Sequence, residues 1–201
     1  MRLLLATHNE HKRREFERLL DASWPARWQL DPLPDDVSLP PEDGDTFAAN
    51  ALGKASAAAA ATGRAAIADD SGIAAAALGG APGVRSARFA GEGASDRENL
   101  DKLIAEVPPD SALEYVCALA YVDPTDSIEV VFEGRCVGRM AGETRGEAGF
   151  GYDPVFLPDD GPDGLTMAEL SDSEKDAISH RGRAARTMLG WIHAGRPVGV
   201  S

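Results

Sequence analysis

Cysteine and positive charge are both scarce in this chain of 201 residues. The two cysteines, Cys117 and Cys136, form no Cys-x-x-Cys spacing, so we expect two buried free thiols rather than a metal or redox site. The 33 acidic and 20 basic residues give a net charge of −13. That charge argues against binding to nucleic acid, which requires a basic surface, but it leaves small nucleotides as possible ligands.

Long apolar runs are also missing. The first twenty residues contain one short run, Leu3 to Ala6, which is too short for the core of a signal peptide. The alanine-rich stretch 55–61 is far shorter than a membrane-spanning helix. We therefore expect a soluble, cytoplasmic protein with no membrane segment. The length fits one domain, 1–201, with room for two lobes.

Apolar runs and helical patterns alternate along the chain, which predicts an α/β fold with a mixed sheet. The capping boxes Ser95-x-x-Glu98 and Ser171-x-x-Glu174 each predict a helix start. The residues 31–45 are rich in Pro, Asp and Glu and predict an exposed loop. We expect strands at 2–6, 65–70, 114–122 and 128–140, the last two as an antiparallel pair, and further helices at 10–20, 46–62 and 179–192.

The run Asp69-Asp70-Ser71-Gly72 directly follows the apolar segment 65–68. The segment predicts a buried strand, and Ser-Gly predicts a tight turn at its carboxyl end, where α/β proteins build their sites. Two neighbouring carboxylates are costly to bury without a cation. They favour a hard cation, Mg²⁺ first, which also binds substrate phosphates. The alternative is an ordinary polar turn.

Polar and basic residues at two predicted helices are candidates for ligand contacts. Thr7-x-Asn9-x-x-Lys12 lies where the first strand meets the first helix, and free amides at a helix start bind anions. The glycines of a P-loop are missing, and simple helix capping is the alternative. On the second helix Asn50 and Lys54 share a face, downstream of Glu42, although a solvated face would explain them equally well.

Two segments near the C-terminus could bind a flat base. In Gly149-Phe150-Gly151-Tyr152-Asp153-Pro154 the glycines permit close approach, an aromatic ring can stack, and Asp153 can accept hydrogen bonds from ring N–H groups. Ser179-His180-Arg181, with Lys175 before it, offers donors for the keto oxygen of a purine. The alternatives are a turn with core aromatics and a solvated helix start.

Together, these segments closely resemble the Ham1-like inosine triphosphate pyrophosphatase family. The resemblance runs from the first strand to the last helix. It includes Thr46-Phe47-x-x-Asn50-Ala51-x-x-Lys54-Ala55 and Gly79-Gly80-Ala81-Pro82-Gly83-Val84-x-Ser86-Ala87-Arg88. The resemblance implies an elongated, twisted mixed sheet flanked by helices, with two lobes and a central cleft. It also implies a homodimeric hydrolase of nucleotide metabolism that uses Mg²⁺ to convert ITP, dITP and XTP to the monophosphate and pyrophosphate.

The resemblance also implies roles for individual residues. Asp70 would be a metal ligand and the general base, with Glu42 and Asp69 as further metal ligands. The chain has Ala49 where the family often has Glu, and only Glu42 where relatives commonly have two glutamates, so Glu42 is the better second ligand. Phosphates would contact Thr7, His8, Asn9, Glu10, His11, Lys12 and Ser71, and Lys54 would also bind the substrate. The base pocket would comprise Phe150, Gly151, Tyr152, Asp153, Lys175, His180 and Arg181.

The chemistry is consistent with these roles, because a carboxylate can orient or deprotonate water for attack on the α-phosphorus. A site built for a keto oxygen also rejects the amino group of adenine. Two alternatives stay open. One is a Maf-like pyrophosphatase for modified pyrimidine nucleotides, against which the Phe150–Asp153 and Ser179–Arg181 segments argue. The other is a non-catalytic nucleotide-binding module, against which the Asp69-Asp70 pair argues.

Overall fold

The computed structural model describes residues 2–21 and 29–196. Its strands are β1 (Arg2–Leu5), β2 (Gln29–Pro32), β3 (Ala66–Ala75), β4 (Ala112–Asp123), β5 (Ile128–Met140) and β6 (Phe156–Pro158). Its α-helices are α1 (Glu10–Asp21), α2 (Phe47–Thr62), α3 (Asp96–Glu106), α4 (Asp172–Ile178) and α5 (His180–His193). Short 3₁₀ helices lie at Ala76–Leu78, Gly83–Arg88, Asp153–Val155 and Met167–Glu169.

In the described part of the chain, the strands form one six-stranded sheet in the order β2-β1-β3-β4-β5-β6. β1 runs parallel to both β2 and β3, whereas β5 and β6 are antiparallel. The neighbours β4 and β5 are joined only by residues 124–127, a connection too short for parallel strands, so they form the expected antiparallel pair. The predicted α/β fold with a mixed sheet is therefore confirmed.

The chain divides into two compact units. The first consists of Met1–Asp70, Cys117–Gly134 and Arg181–Ser201, and the second of Ser71–Val116 and Arg135–His180. The strands β3, β4 and β5 each contribute residues to both units. Two units agree with the two lobes that the family resemblance implies, whereas the central cleft and the single domain 1–201 stay predictions.

The core of the first unit has two parts, because alternate side chains of a strand point to opposite faces of the sheet. Leu3, Leu5 and Ile67 pack with residues of α1 and α5. Their neighbours along the strands, such as Leu4, Ala66 and Ala68, pack with the alanines of α2. The same alternation continues along β3. Asp69 therefore lies on the face of α1 and α5, and Asp70 on the face of α2.

The second unit has its own core, formed by buried residues of β3–β5, α3 and the segments around β6. Tyr115 of β4 is part of this core, and its ring lies 4.5 Å from that of Phe156. Gly72 lies against the 3₁₀ helix 83–88, where an added Cβ would be 2.3 Å from Ser86 Oγ. The same hydroxyl accepts the Ile73 N–H at 2.8 Å and so fixes the path of β3.

The local sequence features at the helix ends are confirmed. Both capping boxes are present, at the starts of α3 and α4. Thr46 caps α2 by accepting the Ala49 N–H, and Gly63 ends the helix in the left-handed conformation, at φ 64°. The two cysteines are buried and free, as expected. No helix in the described ranges is long and apolar enough to cross a membrane.

Two predictions of local structure are wrong. The Ser71-Gly72 turn does not exist, because β3 continues through these residues to Ala75. The aspartates therefore lie inside a strand rather than at its carboxyl end. The predicted loop 31–45 contains the last residues of strand β2, where Leu4 pairs with Asp31. In both places sheet pairing overrides the local preference of Asp, Ser, Gly and Pro for turns.

Candidate functional site

The start of α1 presents backbone amides and polar side chains at the surface. Asn9 Oδ1 accepts the Lys12 N–H at 3.0 Å, and Thr7 Oγ1 accepts the Asn9 N–H at 3.1 Å. Thr7 is partly exposed, and residues 8–11 are exposed. The capping function of Thr7 and Asn9 is thus present. The start of a helix of this length remains suited to an anion, because its first amides and its dipole favour negative charge.

The charged side chains of the same turn point in different directions. Glu10 accepts hydrogen bonds from Arg13 at 2.6 and 2.8 Å, and this bonding lowers the pKa of Glu10 to about 2. Lys12 instead places its Nζ 3.1 Å from Asp69 Oδ2, with a side chain only 13% exposed. Lys12 is therefore a basic residue of α1 whose side chain is fixed on strand β3 by its ion pair with Asp69.

Asp69 is the centre of a buried chain of alternating charges. Its Oδ2 lies 3.1 Å from Lys12 Nζ and 3.3 Å from Arg181 Nε, and Arg181 continues to Glu15 Oε2 at 3.0 Å. Burial alone would raise the pKa of Asp69, but the charges of Lys12 and Arg181 outweigh burial and hold the pKa well below its usual range. Asp69 is therefore a carboxylate that positions two cations.

Asp70 has a different environment, although it is the next residue. Asn50 of α2 donates its Nδ2 hydrogen to Asp70 Oδ2 at 2.8 Å. Burial disfavours the charged carboxylate and the charge of Glu42 adds repulsion, so the pKa of Asp70 is raised above its ordinary value. A buried carboxylate with a raised pKa has the properties of a general base or of a metal ligand.

Lys54 connects the acidic loop to β3. Its Nζ donates to Glu42 Oε1 and, at 2.5 Å, to the backbone oxygen of Asp69. Burial would lower the pKa of Lys54, but the charges of Asp69 and Glu42 outweigh it and raise the pKa. Lys54 therefore stays charged and fixes Glu42, so the predicted Glu42, Lys54 and Asp70 belong to one region of the first unit.

The donor set fits a divalent cation only in part. Among residues 2–21 and 29–196, no group of three or more His, Cys, Asp or Glu side chains is arranged to hold a metal. Asp70 and Glu42 fit a hard cation such as Mg²⁺, which takes one or two carboxylates and completes its shell with water and phosphate oxygens. Asp69 differs from Asp70, because its Oδ2 contacts Lys12 and Arg181 and its side chain lies on the opposite face of the strand, so its metal role stays a prediction.

The second unit brings together the predicted base-binding residues Phe150, Asp153 and Lys175. Asp153 Oδ2 accepts the Phe150 N–H at 2.9 Å and a hydrogen from Lys175 Nζ at 2.7 Å. The Lys175 ammonium also lies 5.4 Å from the centre of the Phe150 ring. Gly149 permits this closeness, because an added Cβ would lie 2.1 Å from Asp153 Oδ2. Asp153 thus orders the loop and Lys175.

The remaining predicted residues have distinct neighbours. His180, buried, stacks on Tyr115 of the second unit, with ring centres 4.6 Å apart and planes at 8°. Tyr152 is buried and donates its hydroxyl hydrogen to the Ser86 oxygen at 2.7 Å, so it supports the loop. Gly151 and Ser71 are partly exposed. Arg181 is bound by Glu15 and Asp69 in the first unit, and its predicted contact with a base stays a prediction.

Sequence analysis missed two residues of this region, Glu15 and Tyr115. Glu15 looked like one of several charged residues of α1, but it is only 7% exposed and binds Arg181. Tyr115 looked like an ordinary strand residue, yet its hydroxyl donates to Asp153 Oδ1 at 3.1 Å. Neither partner is near in sequence. Only helical periodicity, which places Glu15 one turn before the core-packed Leu19, pointed to burial of Glu15.

Comparisons with known proteins agree with this fold. The model of the Ham1 family matches residues 3–191. A dITP/XTP pyrophosphatase of Mycolicibacterium paratuberculosis is 48% identical over 194 residues, which cover 93% of each chain.

Solved structures agree as well. A HAM1 protein from Coxiella burnetii is 36% identical with a TM-score of 0.84, covering 96% of this chain and 99% of the other. A nucleoside-triphosphatase / dITP/XTP pyrophosphatase from Mycobacterium abscessus is 41% identical with a TM-score of 0.70, covering 94% and 99%. Because the family model, the relatives and the fold agree over nearly the whole length, the chain belongs to the Ham1 family.

Proposed function

We propose that this protein is a nucleoside triphosphate pyrophosphatase that hydrolyses the non-canonical purine nucleotides ITP, dITP and XTP to the monophosphate and pyrophosphate. The observation that carries the proposal is the buried Asp70 carboxylate, held by Asn50 and facing the charge of Glu42, in the same unit as the cationic start of α1. Relatives named dITP/XTP pyrophosphatase support the substrate class. We further propose a cytoplasmic homodimer.

All of the proposed phosphate contacts except Ser71 belong to the first unit. The amides and polar side chains of residues 7–11 face the surface, and Lys12 supplies a positive charge whose position Asp69 fixes. Lys54, which remains charged between Glu42 and β3, and Ser71, which follows Asp70, complete the proposed phosphate contacts. When bound at Asp70 and Glu42, Mg²⁺ would stabilise negative charge on the phosphates.

Asp70 is the proposed general base. Its raised pKa makes it a better proton acceptor than an ordinary aspartate, and Asn50 fixes one of its two oxygens through a hydrogen bond. The carboxylate orients or deprotonates a water for attack on the α-phosphorus, so the bond to pyrophosphate breaks. Because Asp69 is committed to Lys12 and Arg181, the paired aspartates have separate tasks.

Base recognition is assigned to Phe150–Asp153, Lys175, His180 and Arg181. The Phe150 ring can stack on a purine, and cationic donors match the 6-keto oxygen of hypoxanthine or xanthine. Adenine carries an amino group at that position, so it leaves a donor without an acceptor. Asp153 holds Lys175 and the loop in place for this contact.

The proposal is tested with the purified full chain, Mg²⁺ and a panel of nucleotides. We expect monophosphate and pyrophosphate as the products from ITP, dITP and XTP. The kcat/KM for ATP should be far below that for these three nucleotides. Asp70→Asn should abolish turnover. Equal turnover of ATP and ITP would contradict the base assignment. Preferred hydrolysis of modified pyrimidine triphosphates would indicate the Maf-like alternative, and binding without turnover would indicate a non-catalytic module.

A further inference from the structure

Tyr115 contacts two of the proposed base-binding residues from within the core of the second unit. The side chain is buried, with 6% of the residue exposed, and lies on strand β4. One part of the residue, the ring, stacks on His180. The other, the hydroxyl, donates to Asp153. Tyr152, the other tyrosine of the second unit, instead donates its hydroxyl hydrogen to the Ser86 backbone oxygen.

The ring of Tyr115 fixes the plane of the His180 imidazole. The ring centres are 4.6 Å apart and the planes differ by 8°, which is parallel stacking. Phe156 braces the tyrosine, with ring centres 4.5 Å apart and planes at 35°. Because His180 is the first residue of α5, its backbone is set by the helix, and the stacking sets the remaining rotation of its ring.

The hydroxyl of Tyr115 fixes the plane of the Asp153 carboxylate. It donates to Oδ1 at 3.1 Å, while Oδ2 accepts from Lys175 at 2.7 Å and from the Phe150 N–H at 2.9 Å. The terminal torsion of aspartate is soft, so a donor on each oxygen is what defines its orientation. The position of the Lys175 ammonium therefore depends on Tyr115 through Asp153.

We propose that Tyr115 is a positioning residue for base selection, which holds His180 by stacking and Lys175 through Asp153. This inference rests on the proposed function, because it needs a base to be read by these donors. Tyr115 touches no substrate in this scheme. Its removal disorders the donors that meet a 6-keto oxygen, whereas it leaves the phosphate contacts of the first unit intact.

The test uses Tyr115→Phe, which keeps the ring and removes only the hydroxyl. We expect KM for ITP to rise and kcat/KM for ITP to fall about tenfold, the effect of one hydrogen bond to a charged group. We expect kcat for ITP and kcat/KM for ATP to change by less than about twofold, since neither depends on the keto contact. The ratio of ITP to ATP turnover therefore falls.

Tyr121→Phe is the matched control. Tyr121 is a second buried tyrosine of β4 whose hydroxyl also contacts an aspartate, Asp123 Oδ2, at 3.2 Å, but it belongs to the first unit. We expect its loss to leave the ITP-to-ATP ratio unchanged. A double variant with Asp153→Ala, which removes both side-chain oxygens, adds a second readout. If Tyr115 acts through Asp153, Tyr115→Phe has little further effect on the ratio in that background.

The outcomes separate this inference from the proposed function. If wild-type protein releases no pyrophosphate from ITP, the proposed function fails and this inference fails with it. If wild-type protein is active but Tyr115→Phe keeps the ITP-to-ATP ratio, or lowers both activities by one factor, the inference alone is overturned. Additive effects of Tyr115→Phe and Asp153→Ala would also overturn it, because they would show independent action.

Discussion

The same substitution at two adjacent positions is expected to have opposite effects on stability. Asp69→Asn and Asp70→Asn each replace a buried carboxylate by an amide of the same shape. Asp69 lies between two cations, at 3.1 Å from Lys12 and 3.3 Å from Arg181. Asp70 accepts from a neutral donor, Asn50, and faces the negative charge of Glu42. The negative charge of the carboxylate therefore stabilises the fold at Asp69 and destabilises it at Asp70.

The magnitude for Asp69→Asn follows from the loss of a buried charge pair. Removing one partner of such a pair costs about 3–5 kcal/mol. We expect the lower end, about 3 kcal/mol, because Arg181 retains Glu15 and the new amide oxygen can still accept a hydrogen bond. In a chain of this size the cost corresponds to a fall in Tm of about 6–12 °C.

For Asp70→Asn we expect an unchanged or higher Tm together with loss of turnover. An amide oxygen can keep the hydrogen bond from Asn50, while the substitution removes the cost of burying a charge beside Glu42. Because the pKa of Asp70 is raised in the fold, this cost appears as the pH rises above the ordinary value of 3.8 and is absent at lower pH. Asp69 has the opposite sign, since its lowered pKa stabilises the fold above 3.8.

Thermal unfolding with EDTA present, measured at pH 7 and again near pH 4, tests both statements. We expect Asp69→Asn to melt below and Asp70→Asn at or above the wild type at pH 7. Near pH 4 the difference for Asp70→Asn shrinks, whereas the difference for Asp69→Asn persists, because the pKa of Asp69 in the fold lies well below its ordinary value of 3.8. Equal destabilisation by the two variants would refute the assignment of separate environments. Near-normal turnover by Asp70→Asn in saturating Mg²⁺ would remove Asp70 from the chemistry.

Three further predictions concern phosphate binding, Arg181 and packing. Lys12→Ala is expected to lower kcat/KM for ITP and ATP by similar factors, since both share the phosphates, and a selective loss for ITP would contradict this role. Arg181→Ala is expected to lower Tm, because it leaves the buried Glu15 and Asp69 with fewer partners. It is also expected to reduce kcat/KM for ITP far more than for ATP. A reduction of kcat/KM by the same factor for both nucleotides would place Arg181 outside base selection. Gly72→Ala is expected to lower the free energy of unfolding, measured in urea, by about 3 kcal/mol, because the new Cβ would lie 2.5 Å from the Gly83 oxygen. Gly53→Ala in α2 is the control: the nearest neighbour of its Cβ is 3.9 Å away, and we expect the free energy of unfolding to rise by about 0.5–1 kcal/mol.

The helix starts were predictable because their causes are local. The capping boxes of α3 and α4 each involve residues three positions apart, so the sequence contains both partners. The end of α2 is equally local, since Gly63 adopts a positive φ at the first residue after the helix.

The course of β3 was not predictable from local residues. Asp, Ser and Gly favour turns, but β3 lies between β1 and β4 in the sheet and continues through all of them. The support comes from a distant segment, because Ser86 accepts the Ile73 N–H and packs against Gly72. A short window of sequence does not reveal contacts with such distant segments.

The sequence yielded a set of candidate site residues, but it did not yield the contacts among them. The family resemblance pointed to Asp70, Lys12, Asp153 and Lys175, but not to the separation of Asp69 from Asp70 by the alternation of the strand. That separation depends on β3 continuing, which puts the two carboxylates on opposite faces. Tyr115 and Glu15 were missed because their partners lie far away in sequence, at 38 and 166 positions.

The position of bond cleavage tests the central claim most directly. Hydrolysis of ITP with Mg²⁺ in water enriched in ¹⁸O, followed by mass spectrometry of the products, reports which phosphorus the water attacks. Attack on the α-phosphorus predicts one ¹⁸O atom in inosine monophosphate and unlabelled pyrophosphate. Label in pyrophosphate, or products consisting of inosine diphosphate and inorganic phosphate, would contradict the account.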